Sequence, residues 1–174
     1  MAQLWLNIGC GPHRAPVPWW NVDVVERDGV APDEVVELGR LPYGDGSCER
    51  LYLGHVLEHI DWVALPAYMA ELRRVLRPAA EVLAVGPDVE RTINRWHQGL
   101  EPWSLVTTAM EGASSDLGWE GARHRWNCTE SRLVGLFEQA RFADVAAVAV
   151  DAVTLTGWPV VSYAPWQCAV RARA

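Results

Sequence analysis

The sequence predicts an α/β fold: a mostly parallel sheet with helices on both faces. Three observations carry that expectation. Short apolar runs closed by glycine, proline or aspartate recur through residues 4–54, as buried strands ending in turns do. The segment 65–76 repeats its apolar residues at three- and four-residue spacing, the period of a helix with one buried face. The two patterns alternate along the chain, as they do where crossover helices join parallel strands.

The elements follow in order. Leu4-Trp5-Leu6-Asn7-Ile8 reads as a buried strand, closed by Gly9-Cys10-Gly11-Pro12. A second apolar run spans Trp20 to Val25, around Asp23. Only the eight residues Pro12–Trp19 separate the two, so the first helix is expected to be shortened or missing. Glu34–Leu38 is a third strand, and 41–47 is turn chemistry. Arg50–Leu53 is a fourth strand, ending at Gly54. In the helix that follows, Leu65, Tyr68, Met69, Leu72, Val75 and Leu76 face inward, with Glu71, Arg73, Arg74 and Arg77 opposite. Asp61 is placed to cap it, Pro66 is tolerated in the first turn, and Pro78 is expected to stop it. Glu81–Val85 is a fifth strand. Residues 88–115 hold one or two irregular helices divided at Pro102. Thr129 is an N-cap for a helix with Leu133, Leu136, Phe137 and Ala140 inward. Val145–Val150 and Gln167–Val170 form a closing, antiparallel strand pair around a loop at 154–165. With 174 residues, half of them hydrophobic, residues 1–174 are expected to form a single domain.

Composition removes several functions. All fifteen cations are arginine, so a phosphate-binding P-loop lysine, a Schiff-base lysine and a lysine general base are excluded. The net charge of −7 argues against a grip on long nucleic acid, which needs a basic surface. Cys10, Cys48, Cys128 and Cys168 show no CxxC spacing and fit reduced thiols, hence a cytoplasmic location. The N-terminal residues read as a strand rather than a signal peptide, and no apolar run reaches membrane-spanning length, so no membrane partner is expected. The ten tryptophans are core in the main, with a few at 96–126 available as an aromatic wall for an acceptor. Nothing in the chain decides the oligomeric state.

Parallel sheets bind ligands at the C-terminal ends of their strands. The first such end carries Asn7-Ile8-Gly9-Cys10-Gly11, whose glycines let a ligand approach the backbone. The second carries Asp23, a carboxylate able to accept both hydroxyls of a ribose. A dinucleotide site fits poorly. It wants a third glycine at a helix start and an acid about twenty residues on, whereas Gly11 to Asp23 is twelve. A nucleoside without phosphate suits the spacing better.

The runs LNIGCGP, WWNVDV, LPYGDGSCERLYLGHVLEHI, ELRRVLRP and VLAVGPD, with HRWNCTESRLVGLFEQARF downstream, resemble class I S-adenosylmethionine-dependent methyltransferases, in particular the short methyltransferase-11-like group. The resemblance implies a Rossmann-like sheet, S-adenosyl-L-methionine as cofactor and methyl transfer as the activity. It implies that Gly9, Cys10 and Gly11 wrap the methionine part, with Asn7 where the group often has Asp. By the same resemblance Asp23 binds the ribose, Glu37 and Leu38 contact the adenine, and Gly54 and His55 lie beside the sulfonium. The sequence departs from the group in its short first crossover, in Ala79-Ala80 where Gly-Gly is common, in Arg141 before Phe142, and in an extra Gly86 before Pro87-Asp88.

A third strand end carries His55-Val56-Leu57-Glu58-His59, with His124 downstream. On one helical turn the three polar residues share a face and can ligate a divalent metal. The pattern resembles the ExxEH-plus-distant-His arrangement with which some class I methyltransferases bind a divalent ion that activates a hydroxyl acceptor, with His55 in place of the first Glu; the favoured reading leaves these residues in the pocket without metal. HxxEH also matches a zinc-peptidase pattern, which makes a metal-dependent hydrolase a further alternative. A non-catalytic cofactor-binding or interaction protein is another. Methyl transfer needs alignment, and a base when the nucleophile must lose a proton. The candidate bases are His59, His124, Glu58 and Asp88. The acceptor is expected to be a small molecule, a sugar or a nucleoside-type group, recognised by segments 89–125 and 151–165.

Overall fold

Seven strands hydrogen-bond into one sheet in the computed structural model, which describes residues 4–37, 39–112, 120–160 and 162–174. The strands are β1 (Leu4–Ile8), β2 (Trp19–Asp23), β3 (Glu34–Val35), β4 (Cys48–Gly54), β5 (Leu76–Pro87), β6 (Ala143–Val148) and β7 (Gln167–Arg173). Their spatial order is β3-β2-β1-β4-β5-β7-β6. The first five run parallel, while β7 is antiparallel to both β5 and β6. The helices are α1 (Leu65–Val75), α2 (Val89–His97), α3 (Trp103–Glu111) and α4 (Glu130–Gln139), with single 3-10 turns at Leu57–His59 and Glu120–Ala122. This is the Rossmann-like arrangement the sequence predicts. Among the described residues no helix is long and apolar enough to cross a membrane.

The helix faces follow their sequence periodicity. α1 buries Leu65, Tyr68, Met69, Leu72 and Val75, and α4 buries Leu133, Leu136 and Phe137. Both pack on one side of the sheet, in a cluster with Leu6, Ile8, Leu51, Leu53, Val82 and Val170. Thr129 caps α4 by accepting the Arg132 N–H at 3.3 Å, and Pro102 is the N-cap of α3.

The other side of the sheet has a different cover. No helix lies between β1 and β2. Instead Trp19, Tyr52, Leu83, Val85 and Ala169 are packed under Leu155 and Trp158 of the loop before β7. Trp19 meets Trp5 edge-to-face at 5.3 Å and Trp158 at 5.7 Å. The Arg50 guanidinium lies 4.9 Å from the Trp5 ring centroid and 4.2 Å from that of Trp158. The tryptophans and this cation cover apolar surface that a crossover helix would otherwise bury.

Three local expectations change. Asp61 does not cap α1 with its side chain; its carbonyl accepts the N–H groups of Ala64 and Leu65 instead. Pro78 does not stop the helix, because the chain is already extended at Leu76 and Pro78 lies within β5. β3 is two residues long rather than five. Its continuation, Val36, donates its N–H to the Asp23 carbonyl at 2.8 Å, and Leu38 lies outside the described residues.

Candidate functional site

The connections from β1 and β4 leave in opposite directions, so a crevice opens at their C-terminal ends. A cavity of about 460 Å³ occupies it, within the range of small-molecule sites. Its walls include Asn7, Gly9, Cys10, Gly11, Asp23, Gly54 and His55 from the predicted set, together with His59 and His124.

The β1 loop is held tightly. Gly9 has φ +66° and donates its N–H to the Val22 carbonyl at 2.8 Å, and a Cβ there would run into the Val56 side chain. Gly11 has φ +52° and open space where a Cβ would stand. Its N–H donates to Asp23 Oδ2 at 2.8 Å, while Val24 N–H donates to Asp23 Oδ1 at 2.8 Å. Asp23 is only 8% exposed. An ionised carboxylate offers about four acceptor sites, so each oxygen keeps capacity for another donor. Asn7 lies below the loop, donating from Nδ2 to Asn21 Oδ1 at 2.9 Å. Asn21 in turn donates to Asp33, which is paired with Arg14. Burial, and then the charge of Asp23, push the Cys10 thiol up to about 11.

Beyond Asp23 the wall is formed by Val24, Val25, Val30 and Val36, with Arg27 among them. Glu37 is exposed and off this wall. The cause is strand alternation: Val36 turns inward, so Val35 and Glu37 on either side turn out.

At the end of β4, His55 adopts φ +56°, sparsely populated for a non-glycine residue. Its Nδ1 is 3.0 Å from Glu58 Oε1, and its Nε2 is 2.8 Å from Gln167 Nε2. The 55–59 segment is therefore a left-handed residue followed by a 3-10 turn, not one helical face. His55 pairs with Glu58, while His59 meets His124, ring centroids 4.8 Å apart. Glu58 is 1% exposed. Burial alone would raise its pKa; the His55 hydrogen bond and the charges of His55, His59 and His124 outweigh it and hold the carboxyl below its ordinary value. Burial pushes His124 below the usual histidine value.

Asp88 stands apart from the cavity. It is the N-cap of α2, with Oδ1 accepting the Arg91 N–H at 3.0 Å and Oδ2 the Glu130 N–H at 3.3 Å. Both oxygens accept scaffold amides and the residue lies off the cavity lining, an arrangement that argues against the role of base expected for it from the sequence. The aromatic wall also differs from expectation. Trp96 and Trp103 pack on each other at 4.8 Å away from the cavity, Trp126 donates to the Leu57 carbonyl, and Trp119 lies outside the described residues. Among the described residues, the tryptophan on the cavity wall is Trp166, beside Gln167. Sequence reasoning missed both; the one available signal was a glutamine opening the apolar run Cys168–Val170. The two segments expected to recognise the acceptor do reach the cavity, through Thr108 and Ala122 from the first and Pro159 and Val160 from the second.

No family model matches the chain, and no curated protein matches it. Solved structures do. A SAM-dependent methyltransferase from Archaeoglobus fulgidus superposes with a TM-score of 0.62 at 14% identity, covering 99% of this chain and 86% of its own. An S-adenosylmethionine-dependent methyltransferase from Mesorhizobium loti gives 0.59 at 14%, covering 99% and 90%. The 1,6-didemethyltoxoflavin-N1-methyltransferase of Burkholderia thailandensis, solved with 1,6-didemethyltoxoflavin and S-adenosylhomocysteine bound, gives 0.59 at 16%, covering 98% and 70%. The chain has the fold of class I S-adenosylmethionine-dependent methyltransferases.

Proposed function

We propose that this chain is an S-adenosylmethionine-dependent methyltransferase acting on a small-molecule, sugar or nucleoside-type acceptor. The observation that carries the reading is the clasp of the Gly9–Gly11 loop by Asp23 at the crevice between β1 and β4. The cavity fits the cofactor in three respects. The backbone at Gly11 is uncovered, Asp23 retains acceptor capacity, and the wall beyond it carries four valines.

In this reading Gly9, Cys10 and Gly11 hold the methionine part by backbone contact, Asp23 accepts the ribose hydroxyls, and Val36 with its neighbours lies against the adenine. Gly54 and His55 flank the reacting end. The cofactor supplies a sulfonium leaving group with its methyl open to in-line attack. The protein positions the acceptor, excludes water and takes up its proton. His59 and His124, facing the same cavity, are the residues for that proton. Acceptors of this size agree with an acidic chain and with the similar fold of an enzyme solved with a small heterocycle. The four cysteines are free and buried, and we infer a cytoplasmic location.

Thermal unfolding with added ligand tests the reading. S-adenosylhomocysteine at a hundred times its dissociation constant should add about 2.7 kcal/mol. A midpoint that NAD raises and S-adenosylhomocysteine leaves unmoved would overturn it.

A further inference from the structure

We propose that Tyr52 is a cofactor-binding residue, whose hydroxyl donates to the carboxylate at the amino-acid end of the cofactor. The inference rests on the function proposed above. Tyr52 lies on β4, registered with Asn7 of β1, and is only 6% exposed. Its ring packs with Trp19, Leu83 and Val85 on the face that has no crossover helix. The tip of the ring is placed by Gly54. A Cβ built on Gly54 would stand 2.5 Å from Tyr52 Oη and 2.8 Å from two of its ring carbons. The side chain therefore runs along the strand and lies over Gly54, and both residues line the cavity.

Among the described residues Tyr52 Oη has no hydrogen-bond partner. Burial, and after it Tyr163 and Glu58, push the phenol above its ordinary value. Near neutral pH it therefore keeps its proton and is a donor. A nearly buried O–H is costly to leave unpaired and is rarely left so in a folded protein. This one faces the cavity, so its partner must come from what enters there.

The amino-acid end of the cofactor carries an ammonium and a carboxylate. Placed along Gly9–Gly11, it lies close to Gly54, because Ile8 is registered with Leu53. The N–H groups of that loop are already engaged. Gly9 and Cys10 both donate to the Val22 carbonyl, at 2.8 and 3.1 Å, and Gly11 donates to Asp23. The chain has no lysine. Among the described residues the one arginine on the cavity wall is Arg27, which stands with the valines beyond Asp23. His55 has both ring nitrogens engaged, by Glu58 and Gln167. Backbone carbonyls of the loop suit the ammonium, but the carboxylate needs a donor that none of these groups supplies. Tyr52 Oη supplies it, and a hydrogen bond to a charged acceptor is about twice as strong as one between neutral groups.

Tyr52 thus reads the amino-acid tail, and Asp23 reads the nucleoside. The two contacts lie at the ends of different strands and share no hydrogen bond. The hydroxyl also bonds to nothing in the free protein. Tyr52→Phe keeps the packed ring and removes only an unpaired group, so the variant should fold as wild type does.

The test is calorimetry of wild type, Tyr52→Phe and Asp23→Ala with two ligands, at a temperature where all three are folded. The ligands are S-adenosylhomocysteine and its decarboxylated analogue, which keeps the nucleoside, the thioether and the ammonium. Tyr52→Phe should weaken S-adenosylhomocysteine about tenfold to a hundredfold and leave affinity for the analogue unchanged. Asp23→Ala should weaken both ligands alike. The unfolding midpoint of ligand-free Tyr52→Phe should equal or exceed that of wild type, since the lost group had no partner. Equal affinity of Tyr52→Phe and wild type for S-adenosylhomocysteine, an equal loss with both ligands, or a lowered midpoint would each overturn the contact and leave the methyltransferase reading standing. Failure of both ligands to bind wild type would overturn that reading, and the contact with it.

Discussion

Asp23 clasps Gly11: the Gly11 N–H donates to Asp23 Oδ2 at 2.8 Å across twelve residues of sequence. With the Val24 N–H on Oδ1, the carboxylate ties the end of β1 to the end of β2 before any ligand arrives. A strand-end aspartate would be expected to matter little to folding, but this one is buried and closes the loop. Asp23→Ala should therefore lower stability by about 1–3 kcal/mol, the cost of leaving buried amides unpaired. Asp23→Asn should also destabilise, because its NH₂ must face one of the two amide donors. Asp28→Ala, at an exposed position, should change nothing. Urea unfolding of the three variants measures the differences.

Leu72→Ala should cost about 2–5 kcal/mol, since the side chain is fully buried between α1 and the sheet. Arg73→Ala, on the solvent side, should be near neutral. Arg74→Ala should fall between them. Its guanidinium donates to Glu71, Asp45 and the carbonyls of Tyr43 and Leu41, fastening the turn before β4 to the helix. Thermal midpoints rank the three.

Asp33 links acid stability to the β1–β2 connection. Partial burial would raise its pKa, but the two Asn21 N–H bonds and the Arg14 charge outweigh this and hold it below the usual carboxylate value. A lowered folded-state pKa means that the unfolded chain binds the proton more readily. The stabilisation is then present above the unfolded value and lost as pH falls through the folded one. Asp33→Asn should be less stable than wild type near pH 7, and the gap should close as pH falls below the ordinary carboxylate range. Equal gaps at pH 7 and at pH 3 would contradict the network.

The sheet was legible because its signals are local. Apolar runs closed by glycine located β1 and β4, and the period of Leu65–Val75 located α1 with its correct face. The short connection after Gly11 correctly implied a missing helix. What covers that face instead, Trp158 packed on Trp19 with Arg50 against it, depends on contacts across more than a hundred residues, which spacing cannot show. The site divides in the same way. Gly9, Gly11 and Asp23 announce themselves by type and position at strand ends. Gln167 meets His55 only because β7 runs antiparallel to β5, and Asp88 reads as a candidate base until its two amide partners are seen.

Cys10 lies on the cavity wall with its thiol pushed up to about 11. Since only the thiolate reacts, alkylation of native protein should be slow near pH 7.5 and rise about tenfold per pH unit up to that value. Cys10→Ala should retain cofactor affinity, because the contact proposed there is through the backbone. Timed labelling followed by mass spectrometry reads the first outcome and calorimetry the second.

His59→Ala and His124→Ala should each lower turnover on a hydroxyl acceptor by about 10²–10⁴ while leaving S-adenosylhomocysteine affinity within a few-fold. Asp88→Ala should instead reduce stability by about 0.5–2 kcal/mol, as loss of an N-cap does, with turnover preserved in the folded fraction. Single-turnover rates beside unfolding curves distinguish a proton-handling residue from a cap.

The assignment of the cavity is tested most directly by isothermal titration of S-adenosylhomocysteine into wild type, Asp23→Ala and Asp28→Ala, at a temperature where all three are folded. One ligand should bind per wild-type chain. Asp23→Ala should weaken it about tenfold to a hundredfold, since bonds to a charged acceptor contribute roughly 1.5–3 kcal/mol, and Asp28→Ala should match wild type. No heat of binding to wild type at millimolar ligand, or equal affinity for Asp23→Ala and wild type, would contradict the placement of the cofactor between β1 and β2.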